Sequence, residues 1–169
     1  MMFGKDIFNF IYPININSIL HLTKLIYKNK SPIRIFHNYF LKQILIKGKT
    51  IDLGCGNHSS YLNFLKKEEN EMFFADINEK NQKNYYQVDL EKKLSIKNEE
   101  FDTVLFFNVL EHLYNYKDII NEINRILKKN GKLELFVPFM HRYHSDPKDV
   151  FRPTHEYLYK LLNERGFKV

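Results

Sequence analysis

The stretch Thr50-Ile51-Asp52-Leu53-Gly54-Cys55-Gly56-Asn57-His58-Ser59-Ser60 decides the fold. An apolar strand leads into an acidic residue and then two glycines one residue apart, followed by small polar residues suited to opening a helix. Glycine at Gly54 and Gly56 permits a tight turn and lets a ligand approach the backbone closely. Doubly wound α/β proteins hold nucleotide-like cofactors with such a strand–glycine loop–helix unit. The stretch therefore predicts a parallel sheet with a ligand at the end of this strand.

The loop departs from the fingerprint of dinucleotide-binding proteins. Ser59 stands where that fingerprint has its third Gly or Ala, and Asp52 lies two residues before the first glycine. An acidic neighbour disfavours the phosphate that a helix N-terminus otherwise binds. It suits a cationic cofactor without phosphate, such as S-adenosylmethionine (SAM), a sulfonium that carries an ammonium group. A nicotinamide-dependent dehydrogenase is correspondingly disfavoured.

The chain resembles the Rossmann-like, class I SAM-dependent methyltransferases of the type 11-like group. Ile51-Asp52-Leu53-Gly54-Cys55-Gly56 looks like the family's first motif, although His58 takes the place of its usual third glycine. Further matches follow in the family's order and extend the resemblance over roughly residues 48 to 169: Phe74-Ala75-Asp76, Gln87-Val88-Asp89-Leu90, Phe101-Asp102-Thr103-Val104, Asn108-Val109-Leu110-Glu111-His112-Leu113 and Ile126-Leu127-Lys128-Lys129-Asn130-Gly131-Lys132.

This resemblance implies a fold and a domain organisation. The expected architecture is a three-layer α/β/α sandwich around a mostly parallel sheet in the order 3-2-1-4-5. Residues 1–47 would form an N-terminal helical lid, and residues 48–169 the SAM-binding core. Only Phe167-Lys168-Val169 stands where the family has its terminal antiparallel hairpin, so either this is a truncated form or the fifth strand has an exposed edge that would favour a homodimer. The implied cofactor is SAM, with S-adenosylhomocysteine as product.

The expected cofactor residues lie where strands end. Asp76 closes the apolar segment 72–75, about 20 residues after the glycine loop, where an acid accepts both ribose hydroxyls. In the family, the position of Asp89 meets the adenine, but Asp89 also suits capping the following turn. Asn108 ends the most apolar strand, 101–107. The predicted cofactor-binding residues are Asp52, Gly54, Cys55, Gly56, Asp76, Ile77, Asp89, Leu90 and Asn108.

Two histidines are the candidate catalytic residues. Methyl transfer from a sulfonium requires alignment and a dry site, with a general base where the acceptor is a hydroxyl. The resemblance places His112 near the transferred methyl group; the alternative is a histidine that bonds to backbone at a helix start. The resemblance also places His144, Asp146 and Arg152 over the substrate pocket. A structural loop anchored by Arg152 and Asp149 competes with that interpretation.

The same loop limits the choice of acceptor. Its pattern resembles bacterial methyltransferases associated with glycan or surface-polysaccharide synthesis. The segment 108–111 differs from the Asn/Asp-Pro-Pro-aromatic motif of base amino methylation, and the single cysteine, Cys55, lies in the cofactor loop. Nucleic acid is therefore disfavoured, and an O or N atom of a small-molecule or glycan-type acceptor is predicted.

No metal is predicted, because His141, His144, Asp146 and His155 match no zinc spacing. The alternative function is a non-catalytic SAM-fold binding or assembly protein.

Charge is unevenly distributed in the 169 residues. Residues 1–50 hold eight Lys/Arg and one Asp, while the other 119 hold 18 basic and 19 acidic residues, for a net charge of +6. This basic segment is either a solvated helical face or a contact for phosphate groups or an anionic membrane surface. One cysteine and the absence of an apolar run of membrane-spanning length favour a cytoplasmic protein.

The remaining pattern predicts the other elements. Ser31-Pro32 marks a helix start that Gly48 is expected to end. Residues 66–71 are predicted as a polar turn. Isoleucines 119, 120, 123 and 126 with Leu127 predict an amphipathic helix whose end Lys128 and Lys129 complement. A strand over 133–137 and a helix capped by Thr154 complete the chain.

Overall fold

The computed structural model describes residues 16–27, 32–56, 60–139, 141–143 and 147–169. Four helices are seen among them: α1 (Ile16–Tyr27), α2 (Pro32–Leu41), α3 (Tyr116–Ile126) and α4 (His155–Asn163). The strands are β1 (Leu45–Leu53), β2 (Lys66–Asp76), β3 (Tyr85–Gln87), β4 (Phe101–Phe107) and β5 (Leu127–Phe136). Two short 3₁₀ helices, Ser60–Asn63 and Leu110–His112, follow β1 and β4.

The five strands form one sheet in the order β3-β2-β1-β4-β5. The pairs β1–β4, β2–β3 and β4–β5 are parallel. The direction in which strands are added to the sheet thus reverses between β1 and β4. Ligands of such sheets bind beyond the carboxyl ends of the strands at this switch point. The predicted fold class and strand order are confirmed.

The hydrophobic core lies against β4 and β1. Phe101, Val104 and Phe106 of β4 are fully buried, and the isoleucines of α3 predicted for its inner face are 1% exposed or less. Each such side chain contributes roughly 1.5–3 kcal/mol when it leaves water. α4 adds Leu158, Leu161 and Leu162 from the other end of the chain, and Thr154 caps it by accepting a hydrogen bond from Tyr157 N, as predicted.

Gly48 does not end a helix, contrary to the prediction. α2 ends at Leu41, and Gly48 lies inside β1 with φ +63°. A Cβ at this position would lie 2.4 Å from Asp102 Oδ2, so the glycine makes room for a side chain of β4. Asp102 Oδ2 in turn accepts a hydrogen bond from Lys49 N at 2.9 Å.

The polar turn predicted over residues 66–71 is also wrong, because these residues begin β2. Their polar side chains find partners on the neighbouring strand. Asn70 Nδ2 donates to Gly48 O at 3.0 Å and to Thr50 Oγ1 at 2.7 Å, and Glu68 pairs with Lys47. Cross-strand polar contacts of this kind stabilise a strand that lacks apolar residues.

Lys128 has a different role from the predicted one. α3 ends at Ile126 and β5 starts at Leu127, six residues before the predicted strand. Lys128 Nζ bonds both carboxylate oxygens of Asp102, at 2.9 and 2.8 Å. Burial raises the pKa of Asp102, but hydrogen bonds from Lys128 and Lys49 outweigh that effect and hold it below its usual value. Lys128 therefore joins β5 to β4.

The chain divides into two compact units. The larger contains the described parts of 46–59 and 67–169, and the smaller those of 2–45 and 60–66. In the smaller unit Leu41 and Ile44 are buried, and burial followed by the nearby Arg34 lowers the pKa of His37 to about 4. Across the described ranges, no helix is long and apolar enough to cross a membrane.

Candidate cofactor and acceptor site

The glycine loop is fixed by the end of β2. Gly54 N and Cys55 N both donate to Ala75 O, at 2.7 and 3.3 Å. Gly54 has φ +74°, and a Cβ on it would lie 2.6 Å from Val109 Cγ2. Gly56 has φ +56°, and among the described residues no atom lies within 4 Å of the position that its Cβ would take. The loop is therefore packed closely at its first glycine and open at its second.

Asp76, the last residue of β2, bonds to this loop. Its Oδ2 accepts from Gly56 N at 2.9 Å, and its Oδ1 accepts from Asn78 N and Asn78 Nδ2, both at 3.1 Å. These bonds use three of the roughly four acceptor positions of a carboxylate. The side chain is nearly buried, at 8% exposure of the residue. Asp76 is thus a fixed acceptor at the strand end, with one position left for a ligand.

Cys55 and Asp52 lie deeper. Burial first, then the charges of Asp52 and Asp76, raises the pKa of Cys55 to about 11. The thiol is therefore protonated at neutral pH and unsuited to act as a nucleophile. Asp52 is fully buried within β1, where it pairs in register with Leu105 of β4. Asp52 and Cys55 therefore belong to the buried side of the glycine loop.

The other predicted cofactor residues surround the same strand ends with varied exposure. Ile77 is 62% exposed and its carbonyl oxygen accepts from Gln87 Nε2, whereas Leu90 packs against the core. Asp89 caps a turn: its Oδ1 accepts from Glu91 N at 3.0 Å, and Lys92 pairs with it. These contacts hold the pKa of Asp89 below its usual value. The capping alternative for Asp89 is therefore present in the structure.

Asn108 redirects the chain after β4. It has φ +55°, and its N–H donates to Phe136 O at the end of β5 at 2.9 Å. The 3₁₀ helix Leu110–His112 follows at once. Asparagine tolerates this left-handed conformation better than most residues. The turn brings Glu111 and His112 to the carboxyl ends of β4 and β5.

His112 is held by the loop that follows β5. Its Nδ1 contacts Lys148 O, and because a carbonyl oxygen only accepts, Nδ1 carries the proton in this arrangement. Nε2 lies 3.9 Å from Glu111 Oε1. The alternative prediction for His112, a histidine bonded to backbone, is thus seen as well, and it leaves Nε2 as the basic nitrogen of the ring.

Glu111 was not predicted as a site residue. It is fully buried, and neither carboxylate oxygen receives a hydrogen bond from the described residues. Burial, the largest effect, raises its pKa, with Asp149 in the same direction, although its own backbone N–H, His112 and Arg152 lower it. Its carbonyl oxygen accepts from Val150 N at 2.9 Å and Phe151 N at 3.2 Å. An adjacent acid and histidine are too common in sequences to signal this burial.

The loop after β5 is braced by Arg152. Its Nε and Nη2 bond both oxygens of Asp149, at 2.9 and 2.5 Å, and Nη1 donates to Pro138 O at 2.7 Å. Phe151 stacks on Tyr116 of α3 with ring centroids 4.0 Å apart. A cavity of about 370 Å³ lies here, lined by His141, Tyr143, Asp149, Val150, Phe151 and Arg152.

The structure therefore gathers the predicted residues into two groups. Gly54, Cys55, Gly56 and Asp76 are joined directly by hydrogen bonds with the end of β2, and His112 lies with the loop after β5. His144, Asp146 and His58 fall outside the described residues. Within those ranges, no three His, Cys, Asp or Glu side chains gather closely enough to hold a metal ion.

This geometry defines a class: a Rossmann-like sheet with a glycine loop, an acid at the end of the next strand and a pocket of mixed aromatic and charged lining in the loop after β5. The family model described as "Methyltransferase domain" matches residues 25–169, so the chain belongs to that family. The domain is of the SAM-dependent class, with SAM as its cofactor.

Solved structures share the fold. A putative methyltransferase from Bacillus halodurans is 19% identical, with a TM-score of 0.60 over 78% of this chain and 68% of its own. A putative S-adenosylmethionine-dependent methyltransferase from Listeria monocytogenes is 18% identical, with a TM-score of 0.58 over 77% of this chain and 83% of its own.

One protein related in sequence matches this chain over a short stretch. An uncharacterized protein of Methanocaldococcus jannaschii is 54% identical over 44 residues, which are 26% of this chain and 19% of the relative. The chain thus spans about a fifth of the length of that curated relative.

The described residues fit SAM on structural grounds. The open side of Gly56 leaves room for a ligand, and Asp76 keeps an acceptor position for a hydroxyl. Asp52 acts on the loop as a negative charge, since it raises the pKa of Cys55, and negative charge suits a cation. SAM supplies the electrophilic methyl group of a sulfonium when bound.

Proposed function

We propose that this domain methylates an O or N atom of a small-molecule or glycan-type acceptor. The observation that supports the proposal is the position of His112 after β4, where its Nδ1 contacts Lys148 O of the loop that lines the cavity of about 370 Å³ with aromatic and charged residues. A pocket of this size accommodates a sugar or a small aromatic group better than a duplex. Tyr143 and Phe151 supply apolar surface, and Asp149 and Arg152 supply polar groups.

In this proposal His112 is the general base. Nδ1 donates a hydrogen bond to Lys148 O and keeps its proton. Nε2 is therefore the nitrogen that takes the proton released by an acceptor hydroxyl or ammonium. The ring then becomes a cation, with Glu111 Oε1 lying 3.9 Å from Nε2. The buried carboxylate stabilises that cation, because a charge pair interacts more strongly away from water. His144, predicted as a second catalytic residue, stays a candidate.

The cofactor residues of the proposal are the predicted set. Gly54, Cys55 and Gly56 would line the ligand, Asp76 would accept from the ribose, and Asp52 would contribute charge. Ile77, Asp89, Leu90 and Asn108 would border the adenine and the methyl group. The bonds that join the glycine loop to the end of β2 support this assignment, since they keep the loop and the acid in one arrangement.

Transfer of labelled methyl groups from SAM to a panel of acceptors tests the function. The panel holds nucleotide sugars, small phenols and amines, together with RNA and DNA oligonucleotides. The proposal expects product with a member of the first group, and at least tenfold lower turnover for His112→Asn with SAM affinity unchanged. His155→Asn is the matched control, because its side chain is 56% exposed on α4. Product with nucleic acid alone would overturn the assignment of the acceptor.

A further inference from the structure

The two peptide groups that flank the Gly56 Cα are each held by a side chain, and the two side chains have opposite charge. Its N–H donates to Asp76 Oδ2 at 2.9 Å, and its carbonyl oxygen accepts from Lys80 Nζ. The glycine has φ +56° and an open side. The two charged groups therefore fix the orientation of both peptide groups of Gly56, whose Cα is open on one side with respect to the described residues.

Lys80 is itself held in place. Its Nζ lies 5.8 Å from the centroid of the Tyr85 ring, within the range of a cation–π contact. The Tyr85 hydroxyl donates to Asn78 O at 2.5 Å, and Asn78 donates to Asp76 Oδ1. Burial, followed by Cys55 and Asp76, raises the pKa of Tyr85 to about 12, so the phenol keeps the proton that it donates.

These contacts close a ring. It runs from Gly56 to Asp76, Asn78, Tyr85 and Lys80 and returns to Gly56. The ring connects the glycine loop, the segment after β2 and the start of β3. Lys80 also opposes the negative groups here, since its charge lowers the pKa of Cys55 against burial and the two aspartates. Removing the ammonium would open the ring on the carbonyl side of Gly56.

We propose that Lys80 is a positioning residue for the cofactor loop. It acts through the Gly56 carbonyl, which it holds so that the open face of the glycine stays toward the cofactor. The inference rests on SAM binding at this loop. The effect passes through the loop and does not depend on the charge of the ligand. Removal of the Lys80 ammonium is therefore expected to weaken the binding of SAM, a cation, and of S-adenosylhomocysteine, which lacks the sulfonium charge, by the same factor.

Three variants of the full chain test this. Lys80→Met removes the ammonium and keeps the aliphatic stem, Lys80→Arg restores a cation, and Lys83→Met is the control for net charge on an exposed residue of the same segment. Calorimetric titration with SAM and S-adenosylhomocysteine gives both affinities. Loss of a bond to a charged group predicts about tenfold weaker binding of both ligands by Lys80→Met. Lys80→Arg is expected to recover most of the loss, and Lys83→Met to bind as the parent chain does.

A second readout does not need cofactor binding. The ¹⁵N–¹H resonance of Gly56 is expected to shift in Lys80→Met and to return toward its original position in Lys80→Arg. Unchanged affinities, unequal changes for the two ligands, or an equal loss in Lys83→Met would each overturn the role of Lys80. If the parent chain binds neither ligand, the cofactor assignment fails; if it binds and Lys80→Met matches it, only the present inference fails.

Discussion

Asp76 and Glu111 are both buried carboxylates at the carboxyl end of the sheet, yet their surroundings differ. Asp76 accepts three hydrogen bonds, from Gly56 and Asn78, whereas Glu111 accepts none from the described residues. A buried charge without hydrogen bonds is costly, and a satisfied one holds its neighbours in place. The cofactor side of the site is thus built for fixed geometry, and the acceptor side carries a destabilising group. Such a group is often retained because the chemistry needs it.

The largest effect is expected from Asp76→Ala. The change removes every acceptor of the Gly56 and Asn78 donors, each bond to a charged group contributing about 1.5–3 kcal/mol. Binding of SAM and S-adenosylhomocysteine should weaken at least about 100-fold, which corresponds to roughly 2.7 kcal/mol. Calorimetric titration measures this, with Glu79→Ala on the same segment as an exposed control. Near-parental affinity in Asp76→Ala would mean that the cofactor side does not depend on this carboxylate.

A somewhat smaller effect is expected where the two sides meet. Gly54 of the cofactor loop lies against Val109, the residue before the 3₁₀ helix that carries Glu111. Gly54→Ala combines a left-handed φ of +74° with a Cβ placed only 2.6 Å from Val109 Cγ2, and should lower the free energy of unfolding by about 2–3 kcal/mol. Gly56→Ala meets no atom of the described residues within 4 Å and should cost only the backbone strain, about 1 kcal/mol.

A double-mutant cycle separates the two causes. Val109→Ala removes the methyl groups that a Cβ on Gly54 would overlap. In that background the additional cost of Gly54→Ala should fall to that of Gly56→Ala, as chemical denaturation would reveal. If Gly54→Ala lowers the free energy of unfolding by the same amount in the parent chain and in Val109→Ala, the whole effect comes from backbone strain and not from packing between the two sides.

Glu111→Gln should have the smallest effect, with the opposite sign. Replacing a buried carboxylate by a neutral amide of equal size is expected to stabilise the protein at neutral pH by about 1 kcal/mol or more. The pKa of Glu111 is raised in the folded state, so the folded state binds more protons between the unfolded and folded pKa values. Stability of the parent chain therefore falls as pH rises from about 4.5 through the folded pKa, relative to the variant.

Thermal unfolding of both proteins from pH 4 to pH 8 measures this difference. The two curves should converge at the acid end of the range and separate above it. If Glu111→Gln instead loses stability at every pH, the carboxylate has a partner that stabilises it, and the contrast with Asp76 disappears. Where an acceptor is known, the stabilised variant should be the slower enzyme.

The sequence predicts the sheet well because its signals are local. An apolar run ended by a glycine pair or a polar residue marks β1, β2 and β4, and the repeat of isoleucines marks α3. Residues 66–71 and 127–132 were missed because their side chains are polar and become strand through cross-strand partners, such as Asn70 with Gly48 and Lys128 with Asp102. Contacts between residues distant in sequence produce no periodic pattern from which a strand can be predicted.

Part of the candidate site can also be proposed from sequence. Gly54, Gly56 and Asp76 follow a spacing that the chemistry of the cofactor requires. Lys80 was missed because its partner is a backbone carbonyl, which any residue supplies, and the burial of Glu111 depends on a loop about 40 residues later in the chain. Asp89 illustrates the remaining ambiguity, since turn capping and ligand contact demand the same side chain at the same place.

The bonds from Val150 N and Phe151 N to Glu111 O have an evolutionary consequence. Because both partners are main-chain groups, any residue except proline at positions 150 and 151 preserves them. The pocket wall can thus change its side chains over many generations while the loop stays at the same point beside His112. A domain of this design can shift from one acceptor to another without rebuilding its scaffold.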